Sequence, residues 1–487
     1  MTGSVTAAWL SDGPTLFNAV ALVLAGVVVL TALLQVVLMV AAVVDLRQSH
    51  KRSRHRLWRA VMNSSLAPKV TVLVPAYNEA VTIRDSLAGI LALTYQNLEV
   101  VVVNDGSSDE TEAVLVNEFD LVEVHNVYQA LLGTQKIVRL YRSRVDPRLV
   151  VAHKENGGKA DALNACVNLA SGSLVCAIDA DTIITPDSLQ KLVTSFVDDP
   201  GVVAAGGSVR LTNGGLVRGP RGLRPLFPRQ IWAACQVVEY TRAFLIGRLG
   251  WNQLGGNLIV SGAFGVFRRQ AVVDVGGYRP GSMGEDMELI VRLRRYGYET
   301  GTPARVTFDA EPVAWTEGPE GLPELRRQRN RWYRGLLEVL SLHRKMILRP
   351  KYGTAGMLSL PYFVIVEALA PLVEAIGILL LIAGLALGQV SLGHLLFVGS
   401  AYALGLLVSM MVLLLDDAAF GMLTDARMRV RMVLIVAVEH LIFRPLTIFW
   451  RLEGLVFYAQ GKGDWGVQVR RGFGTNSLPT SPLPKAR

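Results

Sequence analysis

The sequence predicts an α/β domain with a largely parallel sheet, joined to helices that cross a membrane or lie along its surface. The chain of 487 residues is 51% hydrophobic, and its mean hydropathy of +0.36 is high for a soluble protein. Residues 13–44 carry no charge, and about 20 apolar residues are enough for a helix to cross a bilayer. Residues 68–320 alternate β-branched runs with helical patterns, which is typical of a parallel sheet covered by helices.

Residues 1–60 are predicted to form a transmembrane helix and a basic linker. The block "RQSHKRSRHRLWR", which begins at Arg47, follows the apolar stretch directly. The positive-inside rule therefore predicts an N-terminus outside and the following domain in the cytosol, at the plasma (inner) membrane. A nucleic-acid-binding tail is the alternative for such a block. Its place beside a spanning helix favours the membrane, so we expect no nucleic-acid partner.

Residues 61–320 form the predicted cytosolic α/β domain. "KVTVLVPAYNEA" and "NLEVVVVNDGSSDET" each predict a strand, a turn and a helix, and "SLVCAIDADT" and "GVVAAGGSVRLTN" predict further strands. Helical patterns cover residues 80–92, 158–170 and 186–198. The Gly-, Pro- and Arg-rich stretch 213–229 predicts a mobile loop, and residues 230–249 predict a helix. Such sheets bind ligands at the carboxyl ends of their strands.

The C-terminal part is predicted to return to the membrane. Residues 321–352 are rich in cations and predict an amphipathic interfacial helix. Residues 353–460 contain the charge-free stretch 375–415, which is long enough for two crossings, and the charged stretch 432–460, which favours helices lying in the interface. We therefore expect three crossings and a cytosolic loop and tail over 461–487.

The three cysteines predict no disulfide or zinc site. Cys166, Cys176 and Cys235 are odd in number and include no CxxC pair. Core packing is the expected role of their thiols.

Two aspartates follow a buried strand in "VCAIDADT". Asp179 and Asp181 are two residues apart, so in extended backbone they would point to the same side. Mg²⁺ or Mn²⁺ is held by such carboxylates together with phosphate oxygens, and would neutralise a diphosphate leaving group. A Ca²⁺ loop lacks its further ligands here, and an exposed loop with two solvated aspartates remains the plain alternative.

Two further motifs are suited to a nucleotide. Asp105 follows a strand, where a carboxylate can hold a base or ribose. "HKENGGKADALN" places Lys159 after two glycines at a helix start, a setting for an anionic group. It is not a Walker A loop, because Ala160 stands where Ser or Thr is needed, and an ordinary turn is the alternative.

Two helical motifs are suited to an acceptor. Glu285 and Asp286 open a helix, and one of these carboxylates can act as general base on a hydroxyl; ordinary helix-end charge is the alternative. "QRNRW" places Gln328, Arg331 and Trp332 on one helix face, which suits a sugar ring and a phosphate group. An interfacial Trp with basic neighbours is the alternative.

The ordered motifs "VPAYNEA", "VVNDGSSDET", "NGGKADALN", "DADT", "GED" and "QRNRW" resemble those of the processive, membrane-integrated family-2 glycosyltransferases. These include the synthases of cellulose, chitin, hyaluronan and poly-N-acetylglucosamine. The resemblance covers about residues 68–345. It implies a GT-A type, Rossmann-like domain that binds a UDP-sugar and a divalent metal and transfers the sugar with inversion.

The resemblance also implies roles for individual residues. Asp286 would be the general base, with Glu285 assisting. The expected donor-binding residues are Asp105, Lys159, Asp179, Glu79, Arg331, Trp465 and Arg470. The expected acceptor-binding residues are Trp332, Gln328, Ser261 and Gly262. The expected metal ligands are Asp181 and Asp179, with Asp181 the more direct.

The sequence departs from the family pattern at Gly284, where the usual residue is Thr. It also predicts fewer crossings than many relatives have. The expected partners are thus a UDP-sugar, a growing polysaccharide, membrane lipid, and a second copy or a small accessory membrane subunit. Two alternatives stay open: a non-processive transferase that adds one sugar to a lipid carrier, and a non-catalytic export or polysaccharide-binding subunit.

Overall fold

The computed structural model describes residues 16–54, 67–125, 128–213, 216–219, 222–225, 227–420 and 426–461. The predicted α/β domain is confirmed. Its main sheet has ten strands: β1 (Val70–Ala76), β2 (Leu98–Asn104), β3 (Leu121–Glu123), β4 (Ile137–Ser143), β5 (Leu149–Lys154), β6 (Leu174–Ala177), β7 (Ile183–Ile184), β8 (Val202–Leu211), β11 (Gly265–Arg268) and β12 (Arg305–Thr316).

The strand order is β3-β4-β5-β2-β1-β6-β11-β8-β12-β7. The strands β5, β2, β1 and β6 are parallel neighbours, and β11 lies antiparallel between β6 and β8. Because β1, β2, β5 and β6 run in one direction, the loops that carry "NEA", "NDG", "ENGG" and "DADT" leave the sheet at one edge.

Helices cover both faces of this sheet. They are α2 (Ile83–Leu91), α3 (Thr111–Glu118), α4 (Lys159–Leu169), α5 (Ser188–Asp198), α6 (Ile231–Arg242), α7 (Leu249–Gln253), α8 (Arg269–Asp274) and α9 (Glu285–Thr300). Val72 and Val74 of β1 pack into a core with α2 and α5, whereas Leu73 packs into a second core with α4 and α9. This alternation explains why the strands read as continuous apolar runs.

The helices predicted near 80–92, 158–170 and 186–198 are confirmed by α2, α4 and α5. The helix predicted over 230–249 is confirmed by α6, a π-helical turn over Ala243–Arg248, and α7. The stretch 213–229 is not only a loop, because β9 (Leu216–Gly219) pairs antiparallel with β10 (Gly222–Pro225). Leu and Val in these two strands have enough β-propensity for a short hairpin despite the flanking glycines.

The remaining helices are α1 (Leu16–Arg54), α10 (Leu322–Leu342), α11 (Leu360–Tyr362), α12 (Ala370–Ala386), α13 (Leu392–Phe420), α14 (Ala426–Val438) and α15 (Arg444–Ala459). In the described part of the chain, four helical stretches are long and apolar enough to cross a membrane: Phe17–Ser49, Ala355–Ala386, Leu392–Phe420 and Arg427–Ala459. They indicate a membrane protein that carries an α/β domain.

The fourth stretch, Arg427–Ala459, includes most of the segment 432–460 that is predicted to lie in the interface, and it contacts the α/β domain and α10. Arg431 donates hydrogen bonds to the carbonyl oxygens of Pro228 and Arg229. Further along, Arg242 of α6 forms an ion pair with Glu439 at 2.9 Å. Near its end, Glu453 forms an ion pair with Arg326 of α10. The interfacial placement stays a prediction, because length and composition alone also allow a crossing.

Candidate active site

The loops after β1 and β2 are joined by hydrogen bonds. Asn78 has a φ of +56°, and its side-chain oxygen accepts from the amide of Ser108 at 2.8 Å. The amide of Glu79 donates to the hydroxyl of Thr111 at 2.9 Å. The buried Glu79 carboxylate accepts from Thr82 at 2.6 Å, which stabilises the entry to α2. Its predicted contact with a donor stays a prediction.

Asp105 is buried and fixes the loop that leads into α4. Its carboxylate accepts from the amides of Gly157 at 3.0 Å and Gly158 at 2.8 Å, and it pairs with the ammonium group of Lys154. Burial raises the pKa of Asp105 above its ordinary value, although these hydrogen bonds oppose the shift. The structure therefore places the second motif, "VVNDGSSDET", and the third, "NGGKADALN", in direct contact.

The "DADT" segment is a turn and not extended backbone. The strand β6 ends at Ala177, and the amide of Thr182 donates to the carbonyl oxygen of Asp179 at 3.0 Å. The argument that a spacing of two residues sets both carboxylates on one side is therefore wrong here, because it holds only within a strand. Asp181 is buried, and the side chain of Asp179 is partly exposed.

Lys159, the first residue of α4, brings three motifs together. Its Nζ lies 2.6 Å from Asp179 and 3.4 Å from Glu285. Burial by itself would lower the pKa of Lys159, but the charges of Asp179 and Glu285 outweigh it and raise the pKa. The lysine is thus a fixed cation at the carboxyl edge of the sheet.

The start of α9 brings the candidate base to the same place. Burial and the neighbouring Asp286 raise the pKa of Glu285, with Lys159 opposing the shift. A methyl group at Gly262 would lie 3.4 Å from Nζ of Lys159 and 3.8 Å from Cβ of Asp286. Ser261 precedes this glycine in a turn closed by the amide of Phe264 at 3.1 Å. The predicted acceptor segment therefore lies directly against the candidate base.

The helix α10 touches the start of α9 through backbone. A Cβ atom at Gly335 would lie 2.9 Å from the amide nitrogen of Gly284, and one at Gly284 would lie 3.1 Å from the carbonyl oxygen of Gly335. The amide of Met283 donates to Glu338 at 3.0 Å. The start of α9, which carries "GED", and the helix that carries "QRNRW" thus meet at Gly284 and Gly335, where a Cβ atom on either residue would crowd the other backbone.

Trp332 presents an accessible ring beside a held guanidinium. Its side chain is 43% exposed, so it can contact a ligand. Arg329 lies over this ring at 4.4 Å and is held by Glu239 at 2.5 Å, while Tyr240 lies 6.2 Å away on another side. Gln328 has a buried side-chain oxygen without a hydrogen-bond partner among the described residues. The role of Arg331 stays a prediction.

Three site residues were not foreseen from the sequence. Arg329 could have been found from its i, i+3 spacing to Trp332. Lys154 could have been noticed as a charge at the end of a buried strand. Arg248 had no local signal. Burial lowers its pKa to about 10, against the attraction of Asp286 and Glu367.

Two predicted residues and the metal need separate mention. Trp465 and Arg470 lie outside the described residues. Among the residues that are described, no group of three or more His, Cys, Asp or Glu side chains could hold a metal by itself. The assignment of Asp181 and Asp179 to a metal stays a prediction, since a hard divalent cation at a diphosphate needs only one or two carboxylates from the protein.

The mixed sheet and the cluster at its carboxyl edge define a glycosyltransferase of the GT-A type. Residues 68–335 match the profile described as "Glycosyltransferase like family 2". The chain belongs to this family, so the resemblance seen in the motifs is confirmed.

Curated relatives share this part of the chain. The poly-beta-1,6-N-acetyl-D-glucosamine synthase of Staphylococcus aureus (strain COL) is 32% identical over 273 residues, which are 56% of this chain and 55% of that protein. The enzyme of the same name from Staphylococcus epidermidis is 29% identical over the same length. The chain thus spans about half the length of the curated relatives it matches.

A solved structure supports the fold. Mannosyltransferase PcManGT from Pyrobaculum calidifontis, in complex with GDP-Man and Mn²⁺, is 19% identical, with a TM-score of 0.51. The match covers 86% of this chain and 99% of that one.

Proposed function

We propose that the protein is an inverting membrane hexosyltransferase that polymerises sugar from a UDP-sugar into a β-linked polysaccharide of the poly-N-acetylglucosamine type. One observation carries the proposal: Lys159 bridges Asp179 and Glu285 at a site bordered by Asp286 and Gly262. The ammonium group of Lys159 suits a leaving diphosphate, and the carboxylate of Asp286 suits an attacking hydroxyl. Both groups lie within one cluster. The names of the two staphylococcal relatives support the choice of product.

On the acceptor side, Asp286 is the general base. It takes the proton of the acceptor hydroxyl as that oxygen bonds to the anomeric carbon of the donor sugar. The bond from this carbon to the UDP oxygen breaks on the opposite face, so the α-linked donor gives a β-linked product. The exposed Trp332 ring holds the acceptor sugar, with Gln328, Ser261 and Gly262 beside it.

On the leaving-group side, Lys159 and Arg331 bind the diphosphate, and Asp105 and Glu79 lie at the nucleotide. Asp181, assisted by Asp179, would hold a divalent ion, Mg²⁺ or Mn²⁺, which supplies further neutralisation of the UDP charge when bound. The deep position of Asp181 in its turn suits a ligand that must be ordered before substrate binds.

The proposed location follows from the basic linker and the apolar helices. The catalytic domain faces the cytosol, where UDP-sugars are made, and the N-terminus lies outside at the plasma membrane. A second copy or a small accessory membrane subunit would complete the path for the polymer, because three crossings enclose little space.

The test is a screen for UDP release by the purified full chain across UDP-sugars, followed by mass spectrometry of the product. We expect UDP-N-acetylglucosamine to be used, a polymer to form, and Asp286→Asn to form none. A lipid carrying one sugar would favour the non-processive alternative. Absence of UDP release with every donor would favour the non-catalytic subunit.

A further inference from the structure

The ammonium group of Lys154 is buried inside the α/β domain at the end of β5. Its side chain has no exposed surface. It pairs with Asp105, lies 2.6 Å from a carboxylate oxygen of Asp161, and donates to the carbonyl oxygen of Glu155 at 2.7 Å. An ammonium group has three hydrogens to donate, so these three oxygens satisfy it fully.

Both carboxylates of this triad also hold backbone. Asp105 accepts from the amides of Gly157 and Gly158, and Asp161 accepts from the amide of Gln135 at 3.0 Å. A Cβ atom at Gly157 would lie 2.6 Å from Cγ of Asp161, so the turn 155–158 is packed directly on the triad. Lys154 therefore neutralises the two groups that fix the shape of this turn.

The turn 155–158 determines where the helix α4 begins, and therefore where its first residue, Lys159, lies. Gly158, with a φ of +85°, is the last residue before α4, and Lys159 then reaches Asp179 and Glu285. A change in the turn would move the base of the Lys159 side chain away from both partners. The position of the Lys159 side chain in the site thus depends on Lys154, which is buried behind the turn.

We propose that Lys154 is a positioning residue that sets the affinity of the protein for the nucleoside diphosphate by holding turn 155–158 and, through it, Lys159. The proposal depends on the proposed function for the identity of the ligand. The ordering of the turn by Lys154 is independent of the proposed function and can be measured without ligand.

The experiment compares full-length variants in detergent. Lys154→Met leaves two neighbouring buried carboxylates without a cation, and we expect it to lower the unfolding temperature. Lys154→Met with Asp161→Asn restores the net charge of the triad but not its bridge. We expect this double variant to recover stability and yet bind UDP about tenfold more weakly, as measured by calorimetry. Faster deuterium exchange in peptide 155–160 should accompany the loss.

Lys69 provides the matched control. It forms an ion pair with Glu99 at 3.3 Å and donates to Ser171 at 2.6 Å, at the opposite edge of the same sheet. We expect Lys69→Met to leave UDP affinity within about twofold. Recovery of both stability and UDP affinity in the double variant would overturn the proposal, as would an equal loss in Lys69→Met. A wild-type protein that binds no UDP, with exchange in peptide 155–160 still dependent on Lys154, would instead overturn the proposed function.

Discussion

Neighbouring side chains at this site differ in whether the protein favours their charged or their neutral form. Lys159 keeps its charge between Asp179 and Glu285, whereas the neighbouring Glu285 is pushed toward its neutral form. Such opposite tuning of adjacent groups is a common property of active sites. Asp286, the proposed general base, lies beside this pair.

Replacement of Asp286 by Asn should remove the base and little else. We expect Asp286→Asn to lower the rate of sugar transfer by about 10²–10⁴-fold, because general-base catalysis contributes that much. UDP affinity should be nearly unchanged, since Lys159 and the "DADT" turn are intact. Transfer is measured with radiolabelled donor and affinity by calorimetry. Equal losses in both would show that Asp286 is structural.

Glu285 should make stability depend on pH. Its pKa is raised in the folded protein, so its favourable contribution is full below its ordinary pKa and is lost as pH rises through the raised value. We expect the unfolding temperature of the wild type to fall relative to that of Glu285→Gln as the pH rises above 4.5, the ordinary pKa of a glutamate side chain. The exposed Glu110→Gln is the control and should show a flat difference. If the unfolding temperature of the wild type rose relative to that of Glu285→Gln with increasing pH, the raised pKa of Glu285 would be contradicted.

Divalent ions should be required for turnover. Because Asp181 is the proposed ligand, we expect excess EDTA to stop UDP release and Asp181→Asn to need more Mg²⁺ or Mn²⁺ for half-maximal rate. The assay is UDP release over a metal titration. Full activity in EDTA would refute the role of the metal.

The helices α9 and α10 are packed together through the contact of Gly284 with Gly335. This contact explains the departure from the family pattern at Gly284: a side chain there would press on the carbonyl oxygen of Gly335. The distance between the proposed base on α9 and the proposed acceptor ring on α10 thus depends on a direct contact between the two backbones.

Gly335→Ala should therefore disturb this distance. Its Cβ atom would lie 2.9 Å from the nitrogen of Gly284, so α10 must shift, and overpacking of this kind costs about 1–3 kcal/mol. We expect sugar transfer to fall by about tenfold or more, because small misplacements of reacting groups are costly. Gly89→Ala in α2 is the control, since its Cβ atom would meet nothing within 4 Å. Wild-type transfer by Gly335→Ala would contradict the positioning role.

The sequence predicts those elements whose signal is local. The runs around Val72 and Val101 identify buried parallel strands, and the motifs after them identify the edge of the site. The turn at Asp179 and the contact of Gly335 with Gly284 could not be predicted in this way. Both depend on where a strand stops or on which backbones meet, and neither leaves a periodic pattern in the chain.

Across the whole molecule, the membrane helices are tied to the catalytic domain by polar contacts. Asp416 near the end of α13 forms a two-pronged ion pair with Arg210 of β8, at 2.7 and 3.0 Å. Asp45 of α1 accepts from Asn252 at 2.9 Å. These contacts place the C-terminal ends of α1 and α13 at the α/β domain, and the number of crossings stays a prediction.

The stretch Arg427–Ala459 should then lie along the membrane surface and not cross. Both of its ends contact the catalytic domain or α10, through Arg431 and Glu453. We expect a fluorescent protein fused to the C-terminus to be fluorescent, which indicates a cytosolic location. A fusion within the catalytic domain should give the same result. Alkaline phosphatase activity from a C-terminal fusion would show that the stretch crosses.

The three thiols make the chain convenient for site-directed spectroscopy. Cys166, Cys176 and Cys235 are all buried, and burial raises the pKa of each, that of Cys235 to about 12. Because the thiolate is the reactive species, maleimide dyes should ignore these cysteines in the native protein. A pair of introduced surface cysteines could thus be labelled on an otherwise natural sequence, and energy transfer between the dyes would follow helix movements during synthesis.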